Sequence, residues 1–450
     1  MPIIRQESLF DMKVLFDLEP THRFNSILSG IEIHPILDVV MKKSRFGPKQ
    51  SLNYSAMIYS LIIRITERIP FIKDLVKRLS TDLRFKVDCG FLVSDEIPSE
   101  ASYSRMITLI SDSDALEIVQ ESLLLQAISE GFVSDETIAI DATHVEARDR
   151  APYKSDKVEK EPQKRGRKKK EEREQWLIDK AEIEANLPVY EKKIEYQLDI
   201  PLKELRSSVP TQPKWGIKKN SEGKNVFWYG FKCHLAVGTK SQYILQSLFS
   251  SGNLNDGKAA IPLLKGTKER LPLLKIKHVT MDAGYDYQPI YEQIYRNGAQ
   301  SIIAYNKKNE PEPIGFDEHF APTCVREHSY RYDSFDAKYK TLKYTRPNEC
   351  KDCPLANDSL CQKIYKKKIS GDLRRYTAPA RGSMKWDEIY KERSSVERVN
   401  AYLKGFFLLD QIYHCTGVKA KVHFDLVHIA YNASKLAVDR LTQLQLSATA

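Results

Sequence analysis

The sequence predicts an α/β catalytic core behind a helical N-terminal domain and ahead of C-terminal helices. Three observations predict it: apolar residues at helical spacing up to Gly131, strand-like apolar runs that start there and resume at Val226, and acidic residues at the centre of one such run and the C-terminal tip of another. In the first part, SLNYSAMIYSLIIRITER, PFIKDLVKRLSTDLRF and SYSRMITLISDSDALEIVQESLLLQAISEG each read as helices. Residues 131 to 149 supply the first core strand. A charged stretch follows, in which Lys164 to Lys170 carry six cations in seven positions, and residues 171 to 207 read as charged helices broken at Pro188 and Pro201.

From Val226 the strand pattern resumes. NVFWYGFKCHLAVGT and YILQSLFSSGN alternate like a hairpin, GKAAIPLLKGTKERL reads as a helix, IKHVTMDAG as a buried strand, YQPIYEQIYRNG as a helix and SIIAYN as a strand. With a final acid-bearing helix, this is the element order of an RNase H-like α/β domain. Two insertions interrupt it. The domain reading is therefore 1–130, a helical N-terminal domain; 131–410, the catalytic domain, interrupted by a basic charged insertion at 150–212 and a cysteine-containing one at 307–385; and 411–450, a C-terminal segment ending in an amphipathic helix.

A length of 450 residues suggests about two to three domains. The net charge of +10 favours a polyanionic partner. No apolar stretch approaches about 18 residues, since AMIYSLIIRI is broken by Ser60 and Arg64, and the N-terminus lacks a signal-peptide pattern. The expectation is a cytoplasmic protein without a membrane segment, nucleoid-associated when bound to DNA. Seven cysteines, an odd number, point to thiols or metal ligands instead of disulfides. Cys350 and Cys353 form one tight pair, and with Cys324 and Cys361 they could close a tetrahedral zinc site, His319 or His328 being substitutes. Cys89, Cys233 and Cys415 read as buried thiols.

The residues that carry chemistry are Asp141 in IDATHVEAR, Asp282 in MDAGYDY and Glu397 in EIYKERSSVERVNAYLKGFF. On one continuous helix, Tyr390, Arg393, Glu397 and Lys404 fall within roughly 60° of one face. A carboxylate, two cations and a phenol on one face suit a phosphodiester: the acid binds a hard cation, Arg and Lys hold phosphate oxygens, and Tyr packs beside them. Acids brought together over one sheet repel unless divalent cations join them, which is the arrangement of two-metal catalysis. His144 and Glu146 alternate to the opposite face from Asp141 and stand outside the set. Arg165, Arg167 and Lys168, around Gly166, suggest a cationic arm that contacts phosphates.

The Tyr-x2-Arg-x3-Glu-x6-Lys spacing, the strand Asp in IDATHVEAR and the Asp-Ala-Gly-Tyr motif resemble those of DDE transposases of bacterial insertion sequences. PSEASYSRM (98–106) resembles that family's N-terminal helical region and WYGFKCHLAV (228–237) its second catalytic strand. The resemblance implies a transposase that cleaves element ends and joins them to target DNA. Asp141, Asp282 and Glu397 would hold two Mg²⁺, with Mn²⁺ as a substitute, while Tyr390, Arg393 and Lys404 contact DNA. It also implies DNA-end binding by the N-terminal domain and a homodimer in the synaptic complex. Trp228 and Trp386 are candidates for stacking on a flipped base. The competing readings are a metal-dependent nuclease without strand transfer and a transposase-derived DNA-binding protein.

Overall fold

The computed structural model describes residues 13–41, 52–152, 169–219, 222–308, 310–311, 313–356, 361–414 and 416–449. Arg165, Arg167 and Lys168 of the expected cationic arm lie outside the described residues, as does Cys415.

The N-terminal region is helical as expected: α1 (Lys13–Phe16), α2 (Pro20–Leu28), α3 (His34–Val40), α4 (Tyr54–Thr66), α5 (Ile72–Thr81), α6 (Leu83–Asp88), α7 (Glu100–Ser111) and α8 (Ala115–Ser129). Short polar residues start several of them. Asn53 accepts from Ala56 N at the head of α4, and Ser99 from Ser102 N at the head of α7.

The main sheet comprises β1 (Thr137–Glu146), then, beyond helices α9 (Lys170–Asn186) and α10 (Leu202–Ser207), β2 (Lys214–Lys219), β3 (Asn225–Gly238) and β4 (Ile244–Ser251). Helix α11 (Asp256–Arg270), β5 (His278–Met281), α12 (Gln288–Arg296) and β6 (Gln300–Ile303) follow. β3 runs antiparallel to β1 on one edge and to β2 and β4, placed end to end, on the other. β5 joins the far edge of β1 in parallel, and β6 continues in parallel. This is the strand arrangement expected of an RNase H-like core. β2 is an addition to that expectation: its Trp215 and Ile217 are exposed among lysines, so nothing in KWGIKK alternates toward a core.

Helices cover both faces. Asp141 pairs with Leu235, which pairs with Ser247, so these three share one face. Helix α15 (Gly417–Thr449) lies on that face, with His428 Nδ1 2.9 Å from Ser247 Oγ and the Phe424 ring 5.6 Å from Phe249. α11 covers the other face, where Ile138 and Ile140 point. The C-terminal helix is not amphipathic as expected, because every residue from Val422 to Val438 is buried. It passes between the sheet and α2, α4, α7 and α8, so N-terminal helices and sheet share one hydrophobic core.

Residues after β6 contain a second, three-stranded antiparallel sheet of β7 (Arg331–Asp336), β8 (Thr341–Thr345) and β9 (Ile364–Lys368). It has its own cluster of Phe320, Tyr330, Leu342, Tyr344, Ile369 and Tyr376. Aliphatic residues are sparse in this segment, and its aromatics supply the packing.

The acid-bearing helix is two helices, α13 (Met384–Lys391) and α14 (Ser394–Phe406), rather than one. Glu392 and Arg393 keep helical dihedrals, but Arg393 N bonds to Tyr390 O and Ser395 N to Glu392 O, three residues back instead of four.

Candidate active site

The parallel register fixes the first two acids. Thr137, Ile138 and Ala139 lie opposite His278, Val279 and Thr280, so two further steps bring Asp141 level with Asp282 just past the end of β5. Neighbouring strands stand about 4.8 Å apart, so the backbones of the two acids are neighbours at one end of β5. Asp282 turns the chain there: its Oδ1 accepts from Gly284 N at 2.9 Å, closing the Asp-Ala-Gly turn.

α14 brings the third acid by lying along β1. At its start, Thr239 Oγ1 donates to Glu392 Oε2 at 2.7 Å and also reaches Thr137 O at 3.1 Å. Farther on, Lys404 Nζ donates to His144 O at 2.7 Å. The twelve helical steps from 392 to 404 cover about 18 Å and the seven strand steps from 137 to 144 about 23 Å, so the two elements run side by side. Val396, Val399, Asn400 and Leu403 face the core, while Glu397 sits at the edge of that stripe, half exposed, between the two ties.

Electrostatics couple the three acids. Burial raises Asp141 to about 7 against an opposing bond from Ala142 N, and the charges of Asp282 and Glu397 push it up while Arg393 pulls it down. Asp282 is raised in the same way, first by burial, and by the charges of Asp256 and Glu397. Arg393 Nη1 donates to Glu397 Oε1 at 2.7 Å. No three His, Cys, Asp or Glu side chains among the described residues are gathered closely enough to close on a metal ion. The three acids therefore stand within electrostatic reach, with a guanidinium among them, rather than in a chelating cluster. The donor set suits magnesium in kind: all oxygen, anionic, and held by burial and mutual repulsion in a state that a divalent cation relieves.

Tyr390 is half-buried, its ring stacked on Trp386 at 4.8 Å and 16°, with Arg393 5.8 Å from its centroid. Burial raises its phenol, with Arg393 opposing. Tyr390, Arg393 and Glu397 thus stay together across the break between α13 and α14. Lys404 is drawn down from its usual value by burial, and one of its three protons is committed to the backbone of β1. Trp228 and Trp386 are 4% and 9% exposed, so neither presents a free face for a base as it stands.

Asp256, in the first turn of α11, joins the site from outside the expected set. Its charge raises both Asp282 and Tyr285, and its Oδ1 accepts from Lys232 Nζ at 2.8 Å. His234 Nδ1 faces the same oxygen at 3.9 Å and finds no hydrogen-bond partner among the described residues. An acid after an Asn N-cap is an ordinary helix start, so the sequence does not set Asp256 apart. The second acid of the Asp-Ala-Gly-Tyr-Asp run plays another part. Asp286 is buried and takes Arg374 Nε at 3.0 Å and Nη2 at 2.7 Å, while Arg374 also pairs with Glu310. This network joins the small lobe to the turn that carries Asp282.

Burial, then the neighbouring Cys361, Cys324 and Cys353, push the Cys350 thiol up, but no three of these side chains are gathered closely enough to close on a metal ion. Cys353 is pulled down by Leu355 N and Arg326. Cys89 and Cys233 are buried. No helix among the described residues is long and apolar enough to cross a membrane.

Comparison with known proteins agrees with this layout. Residues 13–109, which hold α1 to α6 and most of α7, match the transposase domain DUF772. Residues 206–433, from the end of α10 into α15, match the transposase DDE domain. No curated protein matches the chain. A DDE domain has an RNase H-like α/β core, which is the sheet and helix arrangement found here, and its match covers half of the sequence. The chain belongs to the DDE transposases of bacterial insertion sequences.

Proposed function

We propose that this transposase cleaves the ends of its element and joins them to target DNA by two-metal phosphoryl transfer, with Asp141, Asp282 and Glu397 as the metal ligands. The observation that carries the reading is the level placement of Asp141 and Asp282 on adjacent parallel strands, with the helix of Glu397 laid along β1. Two bound Mg²⁺ ions would supply Lewis acidity and an activated attacking oxygen. The chain's own residues do the rest. The Asp-Ala-Gly turn holds Asp282 outward, and Lys404 and Glu392 fix the height of Glu397. Arg393, bonded to Glu397, is placed to exchange that partner for a phosphate oxygen. Tyr390, backed by Trp386, offers a packed surface for a DNA end. Lys404 acts first as a positioning residue, with protons left over for a phosphate. The substrate is double-stranded DNA, and a homodimer would bring two ends together.

Two further parts belong to this proposal. Residues 307–385 and 150–212 are insertions into the core, and the first carries a structural zinc on Cys324, Cys350, Cys353 and Cys361.

The test replaces each acid by its amide, which keeps shape and removes charge. Asp141→Asn, Asp282→Asn and Glu397→Gln should each lower Mg²⁺-dependent cleavage of an end-bearing duplex on the order of 10³-fold or more, with duplex binding kept. A variant that cleaves near the wild-type rate removes that residue from the set. Cleavage without joining, in an assay with paired ends, would favour the nuclease reading.

A further inference from the structure

A cavity of about 430 Å³ lies where the N-terminal helices meet the end of β1 and the approach to α15. It is lined by Arg64 of α4, Lys73 at the start of α5, Glu100 and Ser104 at the start of α7, Arg148 beyond β1, and His414 and His423. The catalytic assignment uses none of these.

Arg64 is only 3% exposed, yet among the described residues no carboxylate pairs with it. Its Nη1 donates to Pro70 O at 2.8 Å, and its Nη2 lies 3.1 Å from His423 Nδ1. His423 Nε2 faces Leu408 O at 2.9 Å, so that ring nitrogen carries the proton and Nδ1 accepts from Arg64. Arg64 Nε has no partner among the described residues. Burial draws the guanidinium down to about 10.

The surroundings add positive charge. Arg148 Nη1 donates to Tyr413 O at 2.8 Å, which sets its charge at the rim, and Lys73 stands 5.1 Å over Phe71 beside it. Lys419 Nζ donates to Ser104 Oγ at 2.9 Å. His414 is held down at about 4 by burial and then by Arg64, Lys419 and Arg148, all cations. Glu100, the single carboxylate in the lining, is exposed. The N-termini of α5 and α7 also open here, adding partial positive charge. A buried cation without a counterion is costly, and an anion in the cavity would relieve it.

We propose that this cavity is an anion site for one backbone phosphate of the bound DNA, held jointly by the N-terminal helices and the core. The site rests on the DNA-transposase reading for the source of its phosphate but not on the catalytic assignment. Arg148 lies seven residues beyond Asp141, two past the end of β1, so chain length alone places it at most about 23 Å from that acid.

The experiment uses the full-length protein and the double mutant Lys73→Glu/Arg148→Glu, both positions being exposed. Melting temperature is read in sodium phosphate against sodium chloride at equal ionic strength. Phosphate stabilises folded proteins generally, so the difference between wild type and double mutant is the readout. The rise in melting temperature with phosphate should be larger in the wild type than in the double mutant by about 2 °C or more. Binding of a mixed-sequence duplex should show a log–log salt slope shallower by about 0.9 or more in the double mutant. Asp141→Asn should retain both effects, which separates failure here from failure of the catalytic assignment. Equal phosphate shifts in wild type and double mutant would overturn the site. A phosphate shift confined to the wild type with an unchanged duplex slope would mean free phosphate is the ligand, and would overturn the DNA assignment.

Discussion

Around the main sheet, α15 is buried on all sides from Val422 to Val438, and the polar residues there join layers: His423 to Arg64, Asp425 to Gln120, His428 to Ser247 and Asn432 to the backbone of Ile244. Around β7–β9 the cluster is small and aromatic, and Arg374 ties the lobe to Asp286 of the main body, while Glu310 of the lobe's own segment holds Arg374 and Arg375 in place. The first region holds by continuous apolar packing with buried polar links inside it; the second relies on a charged pair at its junction. The two should fail under different insults.

Acid should produce the largest difference. Burial holds His234 and His428 at about 4 and His423 at about 3, all in the main body. In the unfolded chain they titrate near 6.5. Between those values the unfolded chain binds more protons, so stability is full above about pH 6.5 and is lost as pH falls toward 4, by about 1.4 kcal/mol per pH unit for each histidine. Melting curves from pH 7 to 5 should fall steeply for the body. A flat profile across that range would mean these imidazoles are not buried neutral.

Arg374→Ala should come next. It leaves Asp286, whose side chain is fully buried, with Tyr291 Oη and Asn306 N but without its cation, at a cost of about 3–5 kcal/mol. The loss should be local: limited proteolysis should open the chain between β7 and β9 while the body still melts cooperatively. Because Asp286 lies four residues beyond Asp282, cleavage should fall as well. Intact lobe protection in this variant would show that the aromatic cluster suffices alone.

Arg393→Ala and Cys350→Ser are expected to be smaller in stability. Arg393→Ala breaks a half-exposed pair worth under about 1 kcal/mol, yet it should flatten the salt dependence of DNA binding by about one phosphate contact. Purified protein should carry about one equivalent of zinc, lost in Cys350→Ser. Zinc-free protein with an unchanged lobe would leave the four cysteines as thiols.

Much of this was legible in the sequence because it depends on local pattern. The alternation around Asp141 and the apolar run ending at Asp282 mark their strands, and parallel pairing then sets the two acids level. What escaped depends on partners far along the chain. Nothing in KERSS announces the break between α13 and α14 beyond the Ser394–Ser395 pair, because neither Gly nor Pro stands there. The α15 pattern looks amphipathic because His423, Asp425, His428 and Asn432 are polar, and only their distant partners make burial tolerable. Asp256 is conspicuous only through its proximity to Asp282 in space.

The place of α15 also governs how the protein can be made. Helices α2, α4, α7 and α8 find much of their packing on a segment synthesised some three hundred residues later. As the ribosome delivers the chain, these helices have to wait with apolar faces open, and contacts of such long sequence separation close slowly. The N-terminal region is therefore poorly suited to fold ahead of the rest, and a nascent chain stalled before α15 is the form most exposed to aggregation and to chaperones.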